Sequence, residues 1–258
     1  MASLEPVVIV GIGEMGGVFA RGFLSAGRPV YPVTADMAMA DCASTIPQPE
    51  LVLLAVPEQI LPDTLARAPE QWRDRLVLLQ NELLPCVWKK QGIANPTAMA
   101  VWFEKKKGMD VHVFQPTEVY GPASVPVQTA LNAVDIPCKV LPDGASLAAA
   151  LVRKTFYVLT INIAGLVAGG TTGELWLRHR ELAMNVANDI MDLLDVVTPH
   201  TCDREKMMTF LGDILIRVPD HQCRGRVAED RLVRVIAHAG ENSLQLSTLH
   251  WIAKRSGG

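Results

Sequence analysis

The chain lacks an excess of either charge: 24 Lys and Arg stand against 27 Asp and Glu, a formal net charge of −3. It therefore has no basic field to neutralise a run of phosphates and no basic stretch interleaved with aromatics, which argues against a nucleic-acid binder. Cysteine is scarce. Cys42, Cys86, Cys138, Cys202 and Cys223 are odd in number, widely spaced and without a CxxC pair, so they read as reduced thiols of a cytoplasmic protein. Residues Met1 to Pro6 include Glu5 and lead straight into an apolar strand, unlike the basic start of a signal peptide. The charge-free run Thr155 to Gly173 is interrupted by Asn162 and several threonines and glycines. It predicts a buried helix rather than a membrane span. There is no internal repeat and no low-complexity linker.

What is present is an ordinary globular composition, 49% hydrophobic and 20% charged over 258 residues, enough for one large domain or two modest ones. Short apolar, β-branched runs predict strands at Pro6–Val10, Pro29–Val33, Leu51–Val56 and Leu76–Leu79. Helical patterns fall between or after them at 15–26, 58–68 and 83–91. Strands alternating with helices imply a right-handed parallel sheet covered on both faces. Further strands are predicted near 98–103, 110–115 and 137–141, with Pro116, Gly121 and Pro122 marking turns. The pattern changes at Pro142-Asp143-Gly144. Beyond it, helical windows run at 146–168, 174–197, 203–217, 224–239 and 243–254. The expectation is an α/β class protein: a Rossmann-type dinucleotide-binding domain over 1–143, then an all-helical domain for substrate and dimerisation over 144–258. A cleft between two such halves is the default ligand site.

Gly11-Ile12-Gly13-Glu14-Met15-Gly16 follows the first predicted strand and opens a predicted helix. In that context Gly11 permits a tight turn, Gly13 admits a pyrophosphate close to backbone, and Gly16 lets helix pack on strand. The helix N-terminus adds free N–H groups and positive potential. The bland alternative is a structural glycine turn. At the end of the second strand, Thr34 would bond the adenine ribose with or without a 2′-phosphate, and Asp36 comes one or two residues late for that role. Asp36 reads equally as a helix cap before Met37, so NAD and NADP both stay open.

Asn81 stands where the fourth strand ends, the edge at which open sheets bind ligands; it reads otherwise as a cap for the next helix. Lys154 and Asn162 interrupt an apolar helix. Eight residues apart, they lie within about 80° of each other and about 12 Å along the axis. The bland reading of Lys154 is a lysine snorkelling to water. Two pairs, His200-Thr201-Cys202 and His221-Gln222-Cys223, have poor spacing for zinc, so no metal is expected.

With these residues in view, the chain resembles the ketopantoate reductases (2-dehydropantoate 2-reductases), as a divergent member, over most of its length. The resemblance rests on the Gly11–Gly16 fingerprint, on Leu79-Gln80-Asn81, and on Arg153-Lys154 followed by Ile161-Asn162 and Gly173-Glu174-Leu175. It implies hydride transfer from NADPH or NADH, with NADP favoured, to a small 2-keto acid. It also implies Lys154 as the acid at the ketone oxygen, Asn81 and Asn162 as substrate ligands, and a homodimer.

The chain departs from the family at three places. Val158 stands where the family has a second asparagine. No acid is in register near His221–Cys223, Asp220 and Glu229 being only neighbours. Ala55-Val56-Pro57-Glu58 replaces a common lysine. A polar pocket discriminates by its paired groups, so these losses point away from ketopantoate itself. The alternative reading is a catalytically silent relative that binds nucleotide as a sensor or assembly partner. Val52–Pro57 also resembles prephenate dehydrogenases and pyrroline-carboxylate reductases, whose substrate residues find no counterpart in the helical half.

Overall fold

The structure, a computed structural model, describes residues 5–199 and 201–256. The chain forms two compact units, 1–151 and 152–258, divided within one long helix.

The first unit runs β1 (Val7–Val10), α1 (Glu14–Ser25), β2 (Val30–Val33), α2 (Met39–Thr45), β3 (Leu51–Leu54), α3 (Leu61–Ala66), β4 (Leu76–Leu78) and α4 (Pro85–Lys89). It continues through β5 (Thr97–Ala100), β6 (Phe103–Glu104), β7 (His112–Val113), β8 (Thr117–Tyr120), α5 (Ser124–Asn132) and β9 (Cys138–Val140) to the first turns of α6 (Gly144–Ala168). Seven strands form one sheet in the order β2-β1-β3-β4-β5-β8-β9, while β6 and β7 pair separately. β1 is parallel to both neighbours, with Val10 opposite Val33 on one side and Leu54 on the other. Chain progression along the sheet reverses between these neighbours, and the carboxyl ends at such a point are where open sheets take ligands.

Both faces of β1 and β3 are covered, and all eight of their residues are buried, which is why they read as unbroken apolar runs. On α1 the buried positions are Gly16, Val18, Phe19, Gly22 and Phe23, a stripe at helical spacing laid against Val7, Ile9, Leu51 and Leu53. Each such large side chain contributes about 1.5–3 kcal/mol on full burial. Gly22 lets α5 come close, since a Cβ there would stand 2.5 Å from the Ala130 carbonyl oxygen.

The dinucleotide-domain expectation holds, with corrections. The sheet is not wholly parallel, because β8 runs antiparallel to β5. A parallel return needs a long crossover, usually a helix, and here the chain between the two strands folds instead into the β6–β7 pair. The predicted strand at 98–103 is accordingly two strands. Between Pro116 and Gly121, read as turn markers, lies β8, and α5 follows. The helix expected over 58–68 starts as a 3-10 turn at Glu58–Ile60.

The second unit is helical throughout. After α6 come α7 (Thr172–Arg178), α8 (Arg180–Val197), α9 (Arg204–Arg217), α10 (Ala228–Glu241) and α11 (Ser247–Ser256). The single helix expected over 174–197 breaks at His179. The N-terminus of α7 is fixed by a capping box: the Thr171 side chain accepts from the Glu174 N–H, and Glu174 accepts from the Thr171 N–H. α6 is long and apolar enough to cross a membrane by composition, but 83% of its most apolar window is buried within the protein.

Candidate dinucleotide site and lysine helix

The three fingerprint glycines answer to different constraints. Gly11 has φ +91°, and a Cβ there would stand 2.6 Å from the Ala55 carbonyl oxygen of the chain leaving β3. A Cβ on Gly16 would collide with the Gly11 carbonyl oxygen. Gly13, the N-cap of α1, has nothing within 4 Å of where its Cβ would be. Two glycines thus close the turn onto the strand and helix, and the middle one faces open space. That is the cradle a pyrophosphate requires, and its fit is geometric.

Ile12, Gly13, Glu14, Gly17, Val18, Arg21 and Lys105 line a cavity of about 280 Å³ at this helix start. Lys105, brought there by the segment after β6, pairs with Glu14 at 3.5 Å. Sequence reading did not single out Arg21 or Lys105. Glu14 and Ile12 lie in the cavity wall as fingerprint residues, and Met15 is partly buried against the core.

The tip of β2 is tied to this turn, because the Gly11 N–H donates to the Val33 carbonyl at 2.9 Å. Beyond Val33 the chain folds back, with Met37 N–H donating to the Thr34 carbonyl at 3.1 Å. The Thr34 hydroxyl donates to the Asp36 carboxylate, and this bond holds Asp36 below the usual carboxylate range. Asp36 does not cap α2. The N-cap there is Ala38, without a side-chain bond.

At the end of β4, Gln80 ties strands together: its amide donates to the Leu54 and Val56 carbonyls at 2.7 and 3.1 Å. Asn81 is half-buried, and its N–H donates to Glu58 at 3.0 Å. The cap reading fails, since α4 starts at Pro85 with Leu84 as N-cap. Among the described residues the Asn81 carboxamide has no hydrogen-bond partner, which leaves it able to meet a ligand.

On α6, Lys154 is only 4% exposed, so the snorkelling reading is corrected. Its ammonium stands 5.8 Å from the centre of the Tyr157 ring, whose centre is 6.3 Å from that of the His221 ring. Asn162 is equally buried, and its oxygen accepts from Arg231 of α10 at 2.6 Å. Gly225 makes room for that pair, because a Cβ there would stand 2.6 Å from the Asn162 oxygen. Gly165 seats Cys223, with its missing Cβ 2.7 Å from the cysteine's own. Val158 is buried between Lys154 and Asn162 in sequence. Arg231, Tyr157 and Gly225 escaped sequence reading.

Of the two His-x-Cys pairs, His200 lies outside the described residues. Burial pushes the Cys202 and Cys223 thiols up to about 12.

Taken together, these features define a Rossmann-type α/β unit followed by a helical one. More specifically, the chain has the fold of the ketopantoate reductases, as the sequence resemblance implied. It is similar to 2-dehydropantoate 2-reductase from Methylococcus capsulatus (TM-score 0.70, 11% identity, 96% of this chain and 94% of that one). A PanE/ApbA family ketopantoate reductase from Ralstonia eutropha gives TM-score 0.70 at 12% identity, with 97% of each chain covered. D-mandelate dehydrogenase solved with NADH gives 0.68 at 11%, with 96% of each covered. No protein-family model and no curated protein sequence matches the chain.

Proposed function

We propose that this protein is an NAD(P)H-dependent reductase of a small 2-keto acid or similar carbonyl. The observation that carries the reading is the buried Lys154, set in an apolar helix of a chain with the ketopantoate reductase fold. The dinucleotide, when bound, supplies hydride. Gly11, Gly13 and Gly16 and the start of α1 would hold its pyrophosphate. Lys154 donates to the carbonyl oxygen as negative charge develops there, so its stabilisation is larger in the transition state than before it.

Asn162 positions substrate through the other half of its amide. A guanidinium only donates, so Arg231 fixes the amide oxygen and leaves the NH₂ to donate. Asn81 offers a second amide at the end of β4. The substrate that fits is one without the extra hydroxyl contacts of ketopantoate, because Val158 presents a methyl pair where the family has an amide.

The test is a panel of keto acids with NADH and NADPH, followed by nicotinamide absorbance. Turnover of one or more is expected. A silent nucleotide-binding relative is the second reading, favoured by Val158 in place of the family's asparagine and by the missing acid near His221–Cys223; it predicts nucleotide binding with no turnover across the panel. The reading also expects a small-molecule keto acid as partner, a homodimer and a cytoplasmic location. Gel filtration and cell fractionation test the last two.

A further inference from the structure

The dinucleotide reading leaves one choice to the β2 tip. We infer that the chain selects the dinucleotide without a 2′-phosphate, with Asp36, held by Thr34, as the selecting group. The inference rests on that dinucleotide reading and reverses the NADP preference that the family resemblance implied.

A strand-end acid accepts hydrogen bonds from the free ribose hydroxyls, whereas a 2′-phosphate needs a nearby cation. In sequence Asp36 comes too late to be that acid. The turn closed by Met37 N–H on the Thr34 carbonyl brings it back, and the Thr34 hydroxyl anchors one carboxylate oxygen at the strand end. The same strand end is bonded to Gly11 of the fingerprint. The carboxylate is exposed, and the Thr34 hydroxyl is the side chain that holds it.

The sequence that forms the β2 tip and the elements after it supplies no cation for a phosphate. Residues 29–66, which cover β2, α2, β3 and α3, contain no Lys, Arg or His. They contain the acids Asp36, Asp41, Glu50, Glu58 and Asp63. The flanking Arg28 is taken up by Glu50, at 2.9 and 2.7 Å to its two oxygens. Arg21 and Lys105 line the cavity with Gly13 and Gly17, at the helix start where the pyrophosphate charge belongs. A phosphate dianion beside Asp36 would meet like charge, and a free 2′-hydroxyl would meet an acceptor.

The experiment is a fluorescence titration of NADH and NADPH against the full chain, independent of any substrate. The wild type is expected to bind NADH at least about tenfold more tightly, the scale of one good charge-assisted hydrogen bond. Asp36→Asn and Thr34→Val should each narrow that gap, and Arg21→Ala should weaken both ligands alike. Tighter binding of NADPH by the wild type, or an unchanged gap in folded Asp36→Asn, overturns the inference and leaves the dinucleotide site standing. Selective loss of NADPH on Arg21→Ala also overturns it. Failure of the wild type to bind either ligand overturns the dinucleotide reading and the inference together.

Discussion

A Cβ at Gly13 would meet no heavy atom within 4 Å, whereas at Gly16 it would run into the Gly11 carbonyl oxygen. The φ of Gly13 is −76°, within reach of any L residue. Gly13→Val should therefore fold with wild-type circular dichroism and lose most of its NAD(P)H affinity by fluorescence titration. Gly16→Val should instead lose stability, by a few kcal/mol as for other overpacked core positions. Equal NADH affinity in folded Gly13→Val would refute the fingerprint. Lys154 calls for a different test. Ordinary general-acid assistance is about 10²–10⁴-fold, so Lys154→Ala should lower kcat by about that factor while leaving dinucleotide affinity nearly unchanged. Near wild-type turnover on the substrate found by the panel would end the catalytic assignment. These residues stand out in the sequence because glycines at fixed offsets and a lysine in an apolar run are local signals. Arg231 was not legible. It meets Asn162 from 69 positions away, and nothing around it in the sequence marks a buried arginine.

Among the elements, legibility followed the strength of the local pattern. β1 and β3 stood out because burial on both faces demands unbroken apolar runs. β8 alternates buried with half-buried residues over four positions, too short for a period to show, and proline and glycine on either side read as turn. Pro126 hid α5 in the same way. It is the third residue of that helix, within the first turn, where its missing N–H breaks no intrahelical bond.

An element-level prediction concerns α11, whose N-terminus is held by a side chain from another helix: Asp189 of α8, itself buried, accepts from the Leu249 N–H at 3.0 Å. Burial raises the Asp189 pKa above its ordinary 3.8, against the hydrogen bonds to the α11 backbone. The folded state thus holds this proton more tightly than the unfolded one. Its contribution to stability is fully present below about 3.8 and declines as pH rises through the raised value. Asp189→Asn keeps an acceptor and removes the titration, so it should gain on the wild type as pH rises above about 3.8 in denaturant unfolding. Asp189→Ala should cost about 0.5–2 kcal/mol, as the loss of a helix cap does. A difference between wild type and Asn variant that does not change with pH would sink this account.

For the whole molecule, the open question is whether a ligand at the fingerprint is felt throughout the chain. The cradle and the cavity beside it belong to the first unit, built from β1, α1, the β2 tip and the segment carrying Lys105. Lys154, Asn162 and Arg231 belong to the second. One covalent element serves both: α6 runs without interruption from Gly144 to Ala168 across the division after Leu151. A helix cooperates along its length, so melting the first unit should fray α6 and take Lys154, three residues past the division, with it. A ligand that binds only the folded protein adds about 2.7 kcal/mol at a hundred times its Kd. For a chain of this size that is about 5–10 °C in Tm. NADH at that excess should accordingly raise a single thermal transition by about this amount, and Gly13→Val should abolish the rise. If scanning calorimetry resolves two transitions and NADH moves only one, α6 does not couple the units and Lys154 is held by the helical unit alone. If NADH moves neither, while the Gly13→Val protein melts like the wild type, the cradle at the start of α1 is a structural glycine turn.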